Sequence, residues 1–217
     1  TIDYVHRIYG NENGSNIIPP RDIDRLKIKD LVHLVNTQNN EKIFFAELVI
    51  LVEGISDRIV FSSLIELYSS IFRITKSIEI VEVDGKHNFE KYQNLLKRFE
   101  IDNWVIADFD YLDQIADAGI KKHLTIDESK VAEALTGGNS RDKKTMIKIL
   151  KESFEKGDLE EAKEFLSYVE SRCITCLYDI KEKDEVITFI DTKKSEKIFI
   201  LKKGAIEDYL PEDIGNL

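Results

Sequence analysis

Glu53 closes an apolar run, Leu48-Val49-Ile50-Leu51-Val52, and is followed by Gly54-Ile55-Ser56-Asp57. A second run, Trp104-Val105-Ile106-Ala107, ends in Asp108-Phe109-Asp110. Both runs read as buried parallel strands, and open α/β sheets bind ligands at the carboxyl ends of such strands. Carboxylates gathered at one strand edge repel one another unless a cation offsets them. All-oxygen donors select hard divalent ions, so the pattern predicts an Mg²⁺ or Mn²⁺ site, with room for two metals.

Each member also has a plainer role. Asp57 suits the first turn of a helix, where a carboxylate meets the positive end of the macrodipole. Capping explains Glu53 less well, because a carboxylate at the end of a buried strand is costly to dehydrate without a partner. Side chains two apart on an extended strand point the same way, so Asp108 and Asp110 are expected to grip one cation together.

The elements that would position these groups follow from periodicity. Phe44–Val52 reads as the first core strand, and Ser56 as the N-cap of a helix marked by Ile59, Val60, Leu64, Ile65, Leu67 and Ile71. Ile78–Val83 is the second strand. A second helix spans Asn88–Phe99, with Phe89, Tyr92, Leu95, Leu96 and Phe99 facing the core. Trp104–Ala107 is the third strand. A β-α-β-α-β rhythm of this kind builds a parallel sheet through crossover connections. Ahead of it come a short strand at Tyr4–Tyr9, a loop over Gly10–Pro20 and a helix over Arg21–Thr37. Beyond Asp110 the pattern turns helical, and strand signals return at Val186–Ile190 and Ile198–Leu201. The expected organisation is therefore a lead-in over 1–43, an α/β core made of 44–110 and 186–217, and a mainly helical insertion at 111–185.

Composition narrows the class. The chain has 217 residues, 42% of them hydrophobic, which suits one globular α/β domain with an insertion. No apolar stretch approaches the roughly 20 residues of a membrane helix, and nothing resembles a signal peptide. The net charge of −10 opposes nonspecific capture of nucleic acid. Basic residues nonetheless cluster, at Arg141, Lys143, Lys144, Lys148 and Lys151 and again at Lys193, Lys194, Lys197, Lys202 and Lys203, and local patches decide phosphate contact. Cys173 and Cys176 form a lone C-x-x-C within a helical-looking stretch, Asp158–Leu177; without further ligands it reads as packing, and a reducing, cytoplasmic setting follows. His87 reads as a loop residue, and His6, His33 and His123 receive no role.

Taken together, Val52-Glu53-Gly54-Ile55-Ser56-Asp57 and Ala107-Asp108-Phe109-Asp110 resemble the glutamate and D-x-D motifs of Toprim domains, a fold shared by primases, topoisomerases and several nucleases. The sequence is most similar to the Toprim nuclease region of the OLD (overcoming lysogenisation defect) family, which includes the nuclease of Gabija phage-defence systems. Phe44-Phe45-Ala46, Val83-Asp84-Gly85-Lys86-His87-Asn88 and Lys202-Lys203-Gly204-Ala205-Ile206-Glu207-Asp208-Tyr209-Leu210 add to the likeness, which covers Phe44–Asp110 and Ile198–Leu210.

The resemblance implies a Toprim-like, Rossmann-like sheet flanked by helices. It also implies a divalent-metal-dependent DNA endonuclease or nickase. Glu53, Asp57, Asp108 and Asp110 would be metal ligands, and Glu53 and Lys203 the catalytic residues, with Lys202 next in line for the lysine. Lys86, Lys202 and Lys203 would meet DNA. Glu207 is either a further ligand or a residue in the first turn of a closing helix, and Lys202 and Lys203 also fit a solvated strand end. A further acidic ligand is expected from the insertion, with Asp179 a guess. Full-length family members carry an ATPase domain and can form homo-oligomers. This chain lacks a G-x-x-x-x-G-K-[ST] loop and does not start with methionine, so it reads as a fragment that does not hydrolyse ATP. The competing readings are a Toprim-like module that binds DNA or a partner without cutting, and a D-x-D phosphoryl-transfer enzyme. Against the latter, D-x-D here follows the third core strand, not the first.

Overall fold

The computed structural model describes residues 7–11, 14–18, 41–124, 151–157 and 174–211. The expected helix over Arg21–Thr37, the first basic cluster except Lys151, and Cys173, His6 and His33 lie outside them. Contacts divide the chain into two units: Thr1–Asp108 with Ile190–Leu201 and Ala205–Leu217, and Phe109–Phe189 with Lys202–Gly204.

In the first unit, strands β3 (Leu48–Val52), β4 (Ile78–Glu82), β5 (Asp102–Ala107) and β6 (Ile198–Ile200) form a four-stranded sheet of order β4-β3-β5-β6. Every neighbouring pair is parallel. All five residues of β3 are buried, as expected of a central strand covered on both faces. On one face Leu48, Ile50, Val52 and Ile80 form a cluster with Phe61 and Ile65 of helix α1 (Ile55–Phe72). Alternation sends Val49, Leu51, Val81 and Val105 to the opposite face. Helix α2 (Phe89–Arg98) packs against β5 and buries Phe89, Tyr92, Leu95 and Leu96. The core expected of that helix is present, Phe99 included, whose ring meets Phe44 edge-on at 5.0 Å.

The first strand is shorter than its sequence pattern. Residues Glu41–Phe45 form a 3-10 turn, closed by Ala46 N–H donating to Ile43 C=O at 3.4 Å, and the strand proper begins at Leu48. The amino-terminal loop expected over Gly10–Pro20 is also corrected. Strands β1 (Arg7–Asn11) and β2 (Gly14–Ile18) pair antiparallel, and Gly14 has φ of 125°, a conformation that favours glycine.

The described residues of the second unit include several short helical pieces. A 3-10 turn at Phe109–Tyr111 leads into α3 (Leu112–Ile115) and α4 (Ala118–Lys121). The Asp117 side chain caps α4 by accepting the Ile120 N–H at 3.1 Å. Residues 151–156 are helical, and Leu177–Asp179 form another 3-10 turn. Most of the helical stretch expected over Asp158–Leu177 lies outside the described residues, and its described end, residues 174–176, is not helical; Cys176 donates its thiol to Asp179 Oδ2 at 3.2 Å.

The strand expected at Val186–Ile190 is a helix, α5 (Lys183–Ser195). Val186 and Ile190 are both fully buried, and their four-residue spacing belongs to a helix face. Asp184 and Glu185 in its first turn and Lys193 and Lys194 in its last complement the macrodipole. Among the described residues, no helix is long and apolar enough to cross a membrane.

Candidate active site

In the first unit the carboxyl ends of β3 and β5 are adjacent, because Leu51 and Val105 are in register. Glu53 and Asp108 each follow directly on those ends. Glu53 is half-buried, with its Oε2 atom inside the fold. The turn after it is tight. Gly54, not Ser56, is the N-cap of α1, in an extended conformation with φ of −136°. Ser56 already lies inside the helix. The cap is completed from the third helical position, where Asp57 Oδ2 accepts the Gly54 N–H at 3.0 Å. A carboxylate there reaches back to the first orphan donor as in a capping box.

Asp57 is only 7% exposed. Its carboxyl is pushed above the usual carboxylate range, chiefly by burial. The Gly54 N–H pulls the other way, and the negative charge of Glu207 adds to the rise. Glu207 therefore acts on Asp57 electrostatically. It sits in a closing 3-10 turn, Ile206–Tyr209, that packs against α1. The capping carboxylate of that turn is Asp208, which accepts the Ala205 N–H at 2.8 Å. Glu207 occupies the first turn, as one of its two sequence readings held, without being the group that caps it.

Asp110 is placed differently from its expectation. Strand β5 ends at Ala107, and Asp110 lies in the 3-10 turn Phe109–Tyr111 of the second unit. The two-residue alternation that would align Asp108 with Asp110 holds only in extended backbone, so the paired grip does not follow. What the second unit does bring together is Asp110 and the lysine turn. Phe109 N–H donates to Gly204 C=O at 3.0 Å, and Leu177 N–H to Lys202 C=O at 2.9 Å. Gly204 has φ of 132°, which lets the chain reverse immediately after Lys203.

Lys86 opens a 3-10 turn, Lys86–Asn88, just past β4. The turn lies beside the first carboxylate, because Gly85 N–H donates to Glu53 C=O at 3.1 Å. The second basic cluster is largely neutralised in place. Lys193 pairs with Glu196 at 2.9 Å, Lys194 with Asp191 at 2.7 Å, and Lys197 with Asp102. A phosphate would have to displace these partners, so the cluster is a weaker anion surface than its composition suggests.

Sequence reasoning passed over Glu82. It ends β4 in register with Val52, and its side chain is 24% exposed with Arg58 Nη1 3.8 Å away. Its position as the last residue of a strand neighbouring Glu53 was the available signal. His123, given no role from sequence, is held between Glu182 and Glu185, donating from Nε2 to Glu185 Oε2 at 2.9 Å.

Hard oxygen donors are the right chemistry for Mg²⁺ or Mn²⁺. The Glu207 charge helps raise the Asp57 pKa, a repulsion that a cation would relieve. Among the described residues, however, no three acidic, histidine or cysteine side chains converge closely enough to hold an ion. The donor set fits the metal in kind, and the described geometry does not assemble it.

Residues 44–110 match the family model for the overcoming lysogenization defect protein-like TOPRIM domain. Over those residues the chain is similar to the Toprim domain of OLD-like proteins. The match runs from the turn before β3 to the last carboxylate of the D-x-D motif, so Glu53, Asp57, Asp108 and Asp110 all lie within it. Toprim domains belong to nucleic-acid-processing proteins and commonly bind divalent metal. No curated protein matches the chain.

Proposed function

We propose that this Toprim domain is a divalent-metal-dependent DNA endonuclease or nickase. The observation that carries the reading is the family match over residues 44–110, with Glu53 and Asp108 at the ends of adjacent parallel strands. Glu53, Asp57, Asp108 and Asp110 are the residues that would hold Mg²⁺ or Mn²⁺, with Glu207 as a further donor. The bound metal would supply an activated water and stabilise the leaving oxygen of the phosphodiester.

The remaining work falls to the chain itself. Lys203, ahead of the Gly204 reversal, neutralises charge that builds on the phosphate oxygens in the transition state. Lys86 and Lys202 hold the DNA backbone. With a net charge of −10, DNA capture rests on these few contacts and weakens steeply with salt. In this reading DNA and an ATPase domain are the partners, in a homo-oligomeric cytoplasmic protein, and phage defence or DNA processing is the setting.

Supercoiled plasmid incubated with Mg²⁺, Mn²⁺ or EDTA tests the reading. Nicked or linear product in either metal and none in EDTA is expected. Absence of product in both metals, or cleavage indifferent to EDTA, would overturn it. A second reading, a module that binds DNA without cutting, is favoured by the use of Asp57 as a helix cap. It predicts salt-sensitive mobility shifts with the plasmid left supercoiled.

A further inference from the structure

The loop that follows β4 is tied to Glu53 through its main chain. Val83 N–H donates to Val52 C=O at 2.9 Å, one rung beyond the strand, and Gly85 N–H to Glu53 C=O at 3.1 Å. Between those rungs the backbone is left-handed, with φ of 56° at Asp84 and 97° at Gly85. Glycine takes such values freely, whereas an aspartate does so only when its surroundings hold it there.

Asn88 supplies the hold. Its Nδ2 donates to the carbonyls of both Val83 and Asp84, each at 2.9 Å, so one amide grips the two peptide groups that flank the left-handed residue. Lys91 Nζ donates to Asn88 Oδ1 at 2.9 Å. That third bond fixes which way the amide faces. Turned over, it would set an oxygen against two carbonyls and an NH₂ against an ammonium. The Asn88 N–H closes the same turn onto Gly85 C=O at 3.0 Å.

We propose that Asn88 is a positioning residue for cleavage, holding the Asp84–His87 loop, and through Gly85 the Glu53 main chain, in working geometry. The inference rests on the nuclease reading. Asn88 touches no reacting group in this scheme; it acts on Glu53 through the Gly85 bond. No aspartate can replace it, because a carboxylate has no proton to give to the two carbonyls.

The test has two arms on the full chain. In the first, amide exchange at Gly85 is compared in wild type, Asn88→Ala and Asn88→Asp. Both variants should exchange about tenfold faster there, since the Glu53 rung opens more often. In the second, plasmid nicking should show kcat lowered about tenfold with KM for DNA little changed, as a misplaced group costs rate more than binding. Adding Asp84→Gly to Asn88→Ala should recover both, because glycine holds the left-handed turn without the amide. A packing defect at Asn88 would not be repaired in this way. Should Asn88→Ala fail to fold, Asn88→Asp and the double variant carry the same expectations. Unchanged exchange at Gly85, or faster exchange with an undiminished rate, overturns the proposal. A wild-type chain that never nicks overturns the nuclease reading instead, and the exchange arm tells the two failures apart.

Discussion

The Asp57 carboxylate accepts the Gly54 amide proton at 3.0 Å while lying within the electrostatic reach of Glu207. One group thus closes the first turn of α1 and stands at the mouth of strand β3. Burial and a like charge oppose its ionisation, and the cap supports it. The balance has a consequence for stability.

Asp57→Asn is expected to stabilise the domain at neutral pH. Asparagine keeps an oxygen to accept the Gly54 N–H and removes the buried charge. The folded state raises the Asp57 pKa above its ordinary value of 3.8, so between those two values it binds more protons than the unfolded chain. Stability therefore falls as pH rises through that window in the wild type. Thermal unfolding across pH should show the variant melting higher at neutral pH, with the difference vanishing below the ordinary carboxylate pKa. A variant that melts lower at neutral pH would mean the charge of the cap outweighs its burial.

Asp108→Ala with Asp110→Ala should lower cleavage by about 1000-fold or more, the scale of losing more than one preorganised charge. The fold of the double variant should be retained, because neither side chain belongs to the buried core. Nicking assays and thermal melts read the two effects separately. Full activity in the double variant would remove these carboxylates from the site.

Strand β3 was legible in the sequence because a parallel strand buried on both faces is continuously apolar, as Leu48–Val52 is. Helix α2 was legible because Phe89, Tyr92, Leu95 and Leu96 repeat at helical spacing and are buried. Val186–Ile190 misled because a short apolar run fits a strand or one face of a helix equally; the flanking charges of α5 decide it. Asp110 misled for another reason. Alternation describes a strand, and nothing in D-x-D announces that the strand stops at Ala107. Ser56 looked like a cap because its hydroxyl suits one, but Asp57 reached back first. Residue types at the site were therefore readable, while their mutual geometry depended on where each element ended.

In the second unit, Glu185→Gln should make stability less sensitive to acid. The His123 hydrogen bond, then the Lys122 charge, hold the Glu185 carboxyl below its ordinary value of 4.5. A depressed folded pKa contributes stability that is present above the unfolded value and lost as pH falls through the folded one. Urea unfolding should therefore separate wild type from variant at about pH 7 and bring them together at about pH 3. The carboxylate is exposed, so the separation should be small and shrink with added salt. An equal gap at both pH values would assign the effect to packing of the buried His123 ring.

Lys203 carries the sharpest expectation for the chemistry. It lies in the turn after β6, with Gly204 C=O held by the Phe109 N–H at 3.0 Å, one residue before Asp110 in the chain. The lysine backbone is thus fixed beside the acidic turn of its own unit, and the flexible stem delivers a compact charge. Such a charge matters most where negative charge develops, on the phosphate oxygens in the transition state. Lys203→Ala is expected to slow cleavage by about 100-fold or more, with little change in metal dependence. Lys203→Arg should restore only part of the rate, because a planar fork replaces a point charge. Lys202 provides the control: its carbonyl is bound by Leu177 N–H at 2.9 Å, which anchors its backbone, and Lys202→Ala should weaken DNA binding more than it slows the bound reaction. If Lys202→Ala loses the rate and Lys203→Ala keeps it, the two roles are exchanged. If neither variant slows single-turnover cleavage, no lysine of this turn acts on the transition state.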